Sequence, residues 1–78
     1  MNVYLPELGE DIEKATVACW HKRIGEAVEL EDDIVEVVTD KATFNVSAGG
    51  KGILKKICYK EGEEAKIGDV LAVIESAR

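Results

Sequence analysis

The stretch VVTDKATFNV, from Val37 to Val46, places one charged pair between two short apolar runs. The pair is Asp40 and Lys41. If the chain turns back here, Lys41 presents its primary amine to solvent at the tip of a hairpin. A polar turn without a chemical role would use the same two residue types. The spacing alone therefore leaves a functional lysine and a plain surface turn both open.

The other residues that could do chemistry lack the partners that the chemistry needs. Cys19 and Cys58 are the two cysteines, and because neither belongs to a CxxC pair we predict no zinc site. We expect two buried or half-buried strand thiols in a reducing compartment, although the spacing does not exclude a disulfide. His21 has no identifiable catalytic partner. The acidic run 29–33 lacks the pattern of a calcium loop, and segment 49–52 lacks that of a phosphate-binding loop.

Length and charge narrow the class of protein. Seventy-eight residues make one domain. A formal net charge of -6 repels phosphate, so we expect neither nucleic acid nor an anionic membrane as partner, and favour a basic protein surface. No apolar run approaches the roughly 20 residues of a membrane span. The N-terminus is acidic early and lacks the order of a signal peptide.

Short β-rich runs separated by Gly, Asp and Glu predict an all-β domain. Eight strands at this spacing indicate a sandwich or flattened barrel. We predict them at Met1–Leu5, Ala15–Trp20, Ala27–Leu30, Ile34–Thr39, Thr43–Ser47, Gly52–Ile57, Glu64–Ile67 and Val70–Ser76. Trp20 is expected to pack in the core, because a small domain needs its large apolar groups inside.

An internal repeat supports this architecture. A shift of 37 residues places Gly25-Glu26 on Gly62-Glu63 and Asp32 on Asp69, with apolar residues aligned on both sides. We interpret the chain as two similar halves of about four strands, packed face to face around a pseudo-twofold axis. The glycine-rich segment 49–52 would then connect the halves.

A hairpin with Asp40 and Lys41 at its centre has a consistent register. It pairs Val38 with Thr43 and Val37 with Phe44, and continues with Glu36–Asn45 and Val35–Val46. Cross-strand partners share a face, so one face is apolar (Val35, Val37, Phe44 and Val46) and the other is mixed. This agreement favours the hairpin.

The segment TDKAT with strands on both sides resembles the lipoyl-attachment motif of 2-oxo acid dehydrogenase complexes. The segments LPELGEDIEKATV, ACWHKRIGEAVELEDDIVEVVTDKAT and GGKGILKKICYKEGEEAKIGDVLAVIE resemble, in order, the opening, middle and second half of these lipoyl domains. The resemblance thus covers essentially the whole chain. It implies a flattened β-barrel of two four-stranded antiparallel sheets with internal pseudo-twofold symmetry.

The resemblance also implies a cofactor and its site. Lys41 would carry lipoic acid through an amide to its ε-amine, and Asp40 and Ala42 would present the lysine. The loop Glu7, Leu8, Gly9, Glu10, Asp11 and Ile12 would help the decarboxylase recognise its own domain. Val38 stands where relatives often have Glu, and the proline-containing bend common after the hairpin is missing here.

The implied function is that of a swinging-arm carrier. The domain would accept an acyl group reductively from a thiamine-dependent 2-oxo acid decarboxylase and deliver it to the acyltransferase core for transfer to coenzyme A. It would then present the dithiol to dihydrolipoyl dehydrogenase. A lipoate-attaching enzyme is a further implied partner. The group chemistry belongs to the cofactor, and the protein supplies position.

The rest of the prediction concerns the parent chain. We expect residues 1–78 to be a single, non-catalytic, monomeric lipoyl-type domain. It would be the N-terminal part of a dihydrolipoyllysine acyltransferase, with a linker starting near 76–78. It would be cytoplasmic in a bacterium and in the mitochondrial matrix in a eukaryote. The alternatives are a biotin carrier domain and an unmodified β interaction module of the same fold. The lack of methionines beside Lys41 argues against biotin.

Overall fold

The computed structural model describes residues 1–76 and shows the eight predicted strands, with ends that differ from the prediction by at most two residues. They are β1 (Asn2–Tyr4), β2 (Lys14–Trp20), β3 (Ala27–Val28), β4 (Asp33–Val38), β5 (Thr43–Ser47), β6 (Gly52–Ile57), β7 (Glu64–Lys66) and β8 (Val70–Glu75). No helix in this part of the chain is long and apolar enough to cross a membrane. The expected start of a linker falls partly on residues 77–78, which lie outside the described residues.

The strands form two antiparallel four-stranded sheets, with the orders β1-β8-β6-β3 and β5-β4-β2-β7. This confirms the predicted fold class. The two halves of the sequence are nevertheless not the two sheets, as face-to-face packing of the halves would require. Each sheet takes two strands from each half. The two members of each equivalent pair, namely β1/β5, β2/β6, β3/β7 and β4/β8, lie in opposite sheets. Interleaving lets each half complete the other's hydrogen-bond ladders, so neither half is a separate unit.

The 37-residue sequence repeat corresponds to two turns that form equivalent hydrogen bonds. The N–H of Gly25 donates to the Leu54 carbonyl oxygen, and the equivalent N–H of Gly62 donates to that of Val17. Both glycines have positive φ, 96° and 91°, which only glycine adopts readily. The two acidic positions also act alike, since Asp32 and Asp69 each accept the backbone N–H three residues earlier. The repeated residues are therefore those that the two equivalent turns require.

The core lies between the sheets and consists of small and branched apolar side chains. Its largest fully buried members are Leu5, Ile34, Leu54, Leu71 and Ile74 together with Val17, Val28, Val35 and Val37. Trp20 is half-buried and packs against this core, as predicted. Its indole Nε1–H donates to the Tyr59 carbonyl oxygen at 2.8 Å, which satisfies the one polar group of a large apolar side chain.

Both cysteines are free thiols, but only Cys19 matches the expectation of a half-buried strand thiol. Cys58 is exposed and lies just beyond the end of β6, so the prediction was wrong for this residue. The reason is local: β6 stops at Ile57, so Cys58 lies outside the strand, in the segment that leads to β7.

Candidate functional site

The β4–β5 hairpin has the register predicted from the sequence. Val38 pairs with Thr43 and Val37 with Phe44, and the pairs Glu36–Asn45 and Val35–Val46 follow. Val35, Val37 and Val46 are buried, while Phe44 is half-buried against the core. The apolar face thus anchors the hairpin to the domain, and residues 40 and 41 lie at its tip.

The Thr39 side chain organises the tip. Thr39 Oγ1 accepts hydrogen bonds from the N–H groups of Lys41 and Ala42, both at 3.2 Å, and donates to the Ala42 carbonyl oxygen at 3.1 Å. The Thr39 N–H donates to the same carbonyl oxygen at 2.9 Å. No non-glycine residue from 1 to 76 has positive φ. This tip therefore does not use the left-handed conformation of the commonest glycine-containing hairpins, and a hydroxyl closes it instead.

The Lys41 amine projects into solvent beside the loop between β1 and β2. Its Nζ lies 3.4 Å from Asp11 Oδ2, and the side chains of Lys41 and Asp11 are 62% and 82% exposed. An ion pair this exposed is worth at most about 1 kcal/mol. The amine is thus positioned near the loop without being sequestered by it. Asp40 and Ala42, the flanking residues, are also exposed.

The loop of residues 7–12, expected to take part in recognition by the decarboxylase, contains both half-buried and exposed residues. Leu8 is half-buried and packs against the core. Ile12 is half-buried, and its N–H donates to the Gly9 carbonyl oxygen at 3.2 Å. Glu7 and Glu10 are exposed. The half-buried side chains therefore lie near the two ends of the predicted set, at Leu8 and Ile12, and the carboxylates between and beside them face solvent.

An open groove of about 440 Å³ joins the tip to the loop. It is lined by residues 11–16 of the loop and β2, residues 38–41 of the hairpin, and Glu64 of β7. The predicted lysine and the end of the predicted loop thus share one continuous surface. Sequence reasoning missed Thr39 as a positioning residue. The signal available was a threonine placed at the first position of a tight turn, where its hydroxyl can replace a backbone acceptor.

Comparison with known proteins identifies the class. The model of the biotin/lipoyl family, described as Biotin-requiring enzyme, matches residues 1–74. The chain belongs to this family. Among solved structures, the lipoyl domain of the 2-oxoglutarate dehydrogenase complex from Azotobacter vinelandii is similar with a TM-score of 0.77 and 35% identity, covering 99% of both chains. The two folds therefore correspond from end to end.

Curated relatives narrow the family further. The chain is 42% identical over 77 residues to a dihydrolipoyllysine-residue succinyltransferase component of the 2-oxoglutarate dehydrogenase complex from Buchnera aphidicola subsp. Schizaphis graminum, covering 97% of this chain. It is 33% identical over 76 residues to an acetyltransferase component of the pyruvate dehydrogenase complex from Corynebacterium glutamicum, again covering 97% of this chain. The chain spans 20% and 11% of these relatives.

These relatives and the solved lipoyl domain place the chain among the lipoyl domains, whose members carry lipoic acid covalently on a lysine. They support a lipoyl carrier role over the biotin alternative.

Proposed function

We propose that Lys41 is the lysine that carries lipoic acid in this domain. The observation that carries the proposal is the combination of an exposed amine with a rigid base: the Lys41 side chain is 62% exposed, while the backbone around it is fixed by the Thr39 hydroxyl. An attaching enzyme needs access to the amine, and a mobile arm needs a defined root. The tip of this hairpin provides both.

The residues around Lys41 fit an amide-linked group. Acylation of the amine removes its positive charge, and the interaction lost is the ion pair with Asp11, worth at most about 1 kcal/mol. No core residue has to move. Attachment should therefore leave the stability of the domain nearly unchanged.

The function that follows is transfer of acyl groups between active sites. When bound, the lipoyl group supplies a ring disulfide that is reduced as it accepts an acyl group in thioester linkage. The domain contributes the position of the arm. Its partners would be a 2-oxo acid decarboxylase, an acyltransferase core and dihydrolipoyl dehydrogenase. The chain would be one domain of a longer acyltransferase, and its match to 20% of the length of a related succinyltransferase component supports this. Its proposed location is the bacterial cytoplasm or, in a eukaryote, the mitochondrial matrix.

The first experiment measures intact mass after incubation of the chain with lipoate ligase and lipoate, and in parallel with biotin ligase and biotin. We expect a single lipoyl increment, absent in Lys41→Arg and retained in Lys51→Arg. Lys51 is a suitable control because its side chain is 74% exposed and it lies outside the hairpin. An increment that persists in Lys41→Arg, or biotin as the only group attached, would refute the proposal.

We propose that the carboxylates of the loop guide the decarboxylase to the arm. Glu7, Glu10 and Asp11 are exposed, and Asp11 lies beside the Lys41 amine. Charges at the rim of an interface act mainly on association rate. Glu10→Gln should lower kcat/KM for reductive acylation of the lipoylated domain severalfold, with the loss shrinking at high salt. Glu75→Gln is the matched control, since Glu75 is exposed on β8 in the other sheet. Equal rates for both variants would argue against the loop.

A further inference from the structure

Three residues on the outer surface of the β5-β4-β2-β7 sheet bring together a thiol, an imidazole and a carboxylate. One ligand atom from each of Cys19, His21 and Glu36 lies within 4.8 Å of the others. Cys19 and Glu36 are cross-strand partners in β2 and β4. The Cys19 Sγ atom is 3.8 Å from His21 Nδ1. None of the three residues has a part in the carrier function proposed above.

A β-bulge puts Cys19 on this surface. Ala15 and Val17 are buried, so strict alternation along β2 would turn Cys19 into the core as well. The register between β2 and β4 shifts between Val17 and Cys19, and the extra residue reverses the alternation. Cys19 consequently faces the same side as Glu36, and Trp20 packs against the core in its place.

The His21 ring is oriented with a free nitrogen toward the thiol. Its Nε2 lies 3.1 Å from Asn45 Oδ1, and in the tautomer with the proton on Nε2 it donates to that amide oxygen. Nδ1 then bears the lone pair on the side of Cys19. Asn45 is itself the cross-strand partner of Glu36, and the His21 N–H donates to the Ile34 carbonyl oxygen. A histidine fixed through its other nitrogen is the usual arrangement around a bound metal.

We propose that Cys19, His21 and Glu36 form a binding site for a divalent transition metal of the zinc type. Thiolate, imidazole and carboxylate are the three donor types that Zn²⁺ takes in proteins, and three protein ligands leave a fourth position for water. In a tetrahedral site a sulfur and a nitrogen ligand stand about 3.5 Å apart, from the Zn–S and Zn–N bond lengths, close to the 3.8 Å found here. On binding, the Cys19 thiol releases its proton to solvent, and the charges of minus one on the Cys19 thiolate and on Glu36 then balance the ion.

The fold itself does not require this cluster. The 37-residue repeat places Lys56 and Val73, also cross-strand partners, at the positions of Cys19 and Glu36. Cys58 takes the position of His21. The second half thus keeps the bulge, between Leu54 and Lys56, but carries no comparable set of ligands. Both halves of the fold contain the bulge, whereas the thiol, imidazole and carboxylate come together at the surface of the first.

The test is a titration of the unlipoylated chain with Co²⁺ under reducing conditions, followed by absorption. The unlipoylated form is used because a reduced lipoyl group would offer two further thiols. We expect one ion per chain, a thiolate-to-cobalt charge-transfer band, and displacement by Zn²⁺. Cys19→Ser should lose the band, while Cys58→Ser, which removes the exposed thiol outside the cluster, should retain it.

His21→Gln and Glu36→Gln test the other two ligands in variants that keep the thiol. We expect each to weaken Co²⁺ binding at least about tenfold and to keep the far-ultraviolet circular dichroism of the parent chain. In the parent chain Zn²⁺ should raise the midpoint of thermal unfolding in proportion to its binding, with no rise in Cys19→Ser. A band that survives in Cys19→Ser, or binding that does not saturate at one ion per chain, would overturn the proposal.

Discussion

The hydroxyl of Thr39 offers the sharpest test of how the tip is held. Thr39→Val keeps the shape of the side chain and its β-branching but removes the hydroxyl. That change abolishes two hydrogen bonds accepted from the N–H groups of Lys41 and Ala42 and one donated to the Ala42 carbonyl oxygen. The backbone pair between Thr39 and Ala42 remains. The variant therefore loosens the tip without unpairing the strands.

The size of the effect follows from these three bonds. A hydrogen bond within a protein contributes about 0.5–1.5 kcal/mol net of the water it displaces. The tip is accessible to water, so the low end applies and the total is about 1–2 kcal/mol. A loss of this size raises the population of the open tip about 5- to 30-fold. The unfolded chain lacks these bonds as well, so the free energy of global unfolding should fall by a similar amount, while the core beneath the hairpin stays packed.

Amide hydrogen exchange resolved by NMR measures this directly. The N–H groups of Lys41 and Ala42 should exchange about 5- to 30-fold faster in Thr39→Val, and lipoylation by the ligase should slow. Thr43→Val is the matched control, because Thr43 is exposed on the other side of the tip and forms no side-chain hydrogen bond within residues 1–76. Unchanged exchange in Thr39→Val, or an equal change in Thr43→Val, would show that the hydroxyl does not close the turn.

Two further predictions concern stability. A Cβ added to Gly52 would collide with the Glu75 backbone oxygen and lie 2.8 Å from Ile74 Cγ2, so Gly52→Ala should cost about 3 kcal/mol. Gly25→Ala, in which only the φ angle is strained, should cost about 1 kcal/mol. Denaturant midpoints compare the two variants, and a greater loss in Gly25→Ala than in Gly52→Ala would contradict the packing argument. Hydrogen bonds from the Lys66 N–H and the Tyr59 hydroxyl lower the pKa of Asp69. Its stabilising effect is therefore present above the ordinary aspartate pKa and is lost as the pH falls through the lowered one. Tyr59→Phe should reduce the loss of unfolding free energy as the pH falls. An unchanged pH dependence would show that the tyrosine hydroxyl does not contribute to it.

Much of the fold could be predicted from the sequence because its signals are local. Alternating apolar residues mark the strands, and the pattern on both sides of Asp40-Lys41 admits one register in which a single face is apolar. The exchange of strands between the two halves could not be predicted, because pairing between distant strands leaves no mark in either strand alone. The 37-residue repeat indicates symmetry but does not say which strands share a sheet.

The surroundings of the site were harder to predict for the same reason. The position of Asp11 beside Lys41 depends on how the loop between β1 and β2 lies against the hairpin, and the sequence resemblance, not the spacing, suggested it. The bulge at Val17–Cys19 decides which way Cys19 points, and its position is set by pairing with β4. A count of cysteines and a search for CxxC pairs could therefore not detect a cluster completed by Glu36 from the next strand.

The ordinary backbone conformation of the tip has a genetic consequence. Because no positive φ is needed at residues 40 and 41, a change of Lys41 leaves the chain able to fold, and proteolytic surveillance acts on unfolded chains. Under the attachment proposed for Lys41, a gene altered at this codon would produce an inert but durable protein. Where many copies of the chain enter one assembly, copies without a lipoyl group would replace lipoylated copies in proportion to the dosage of the altered gene. Such an allele should behave as dominant, whereas a core allele that unfolds the domain should be recessive.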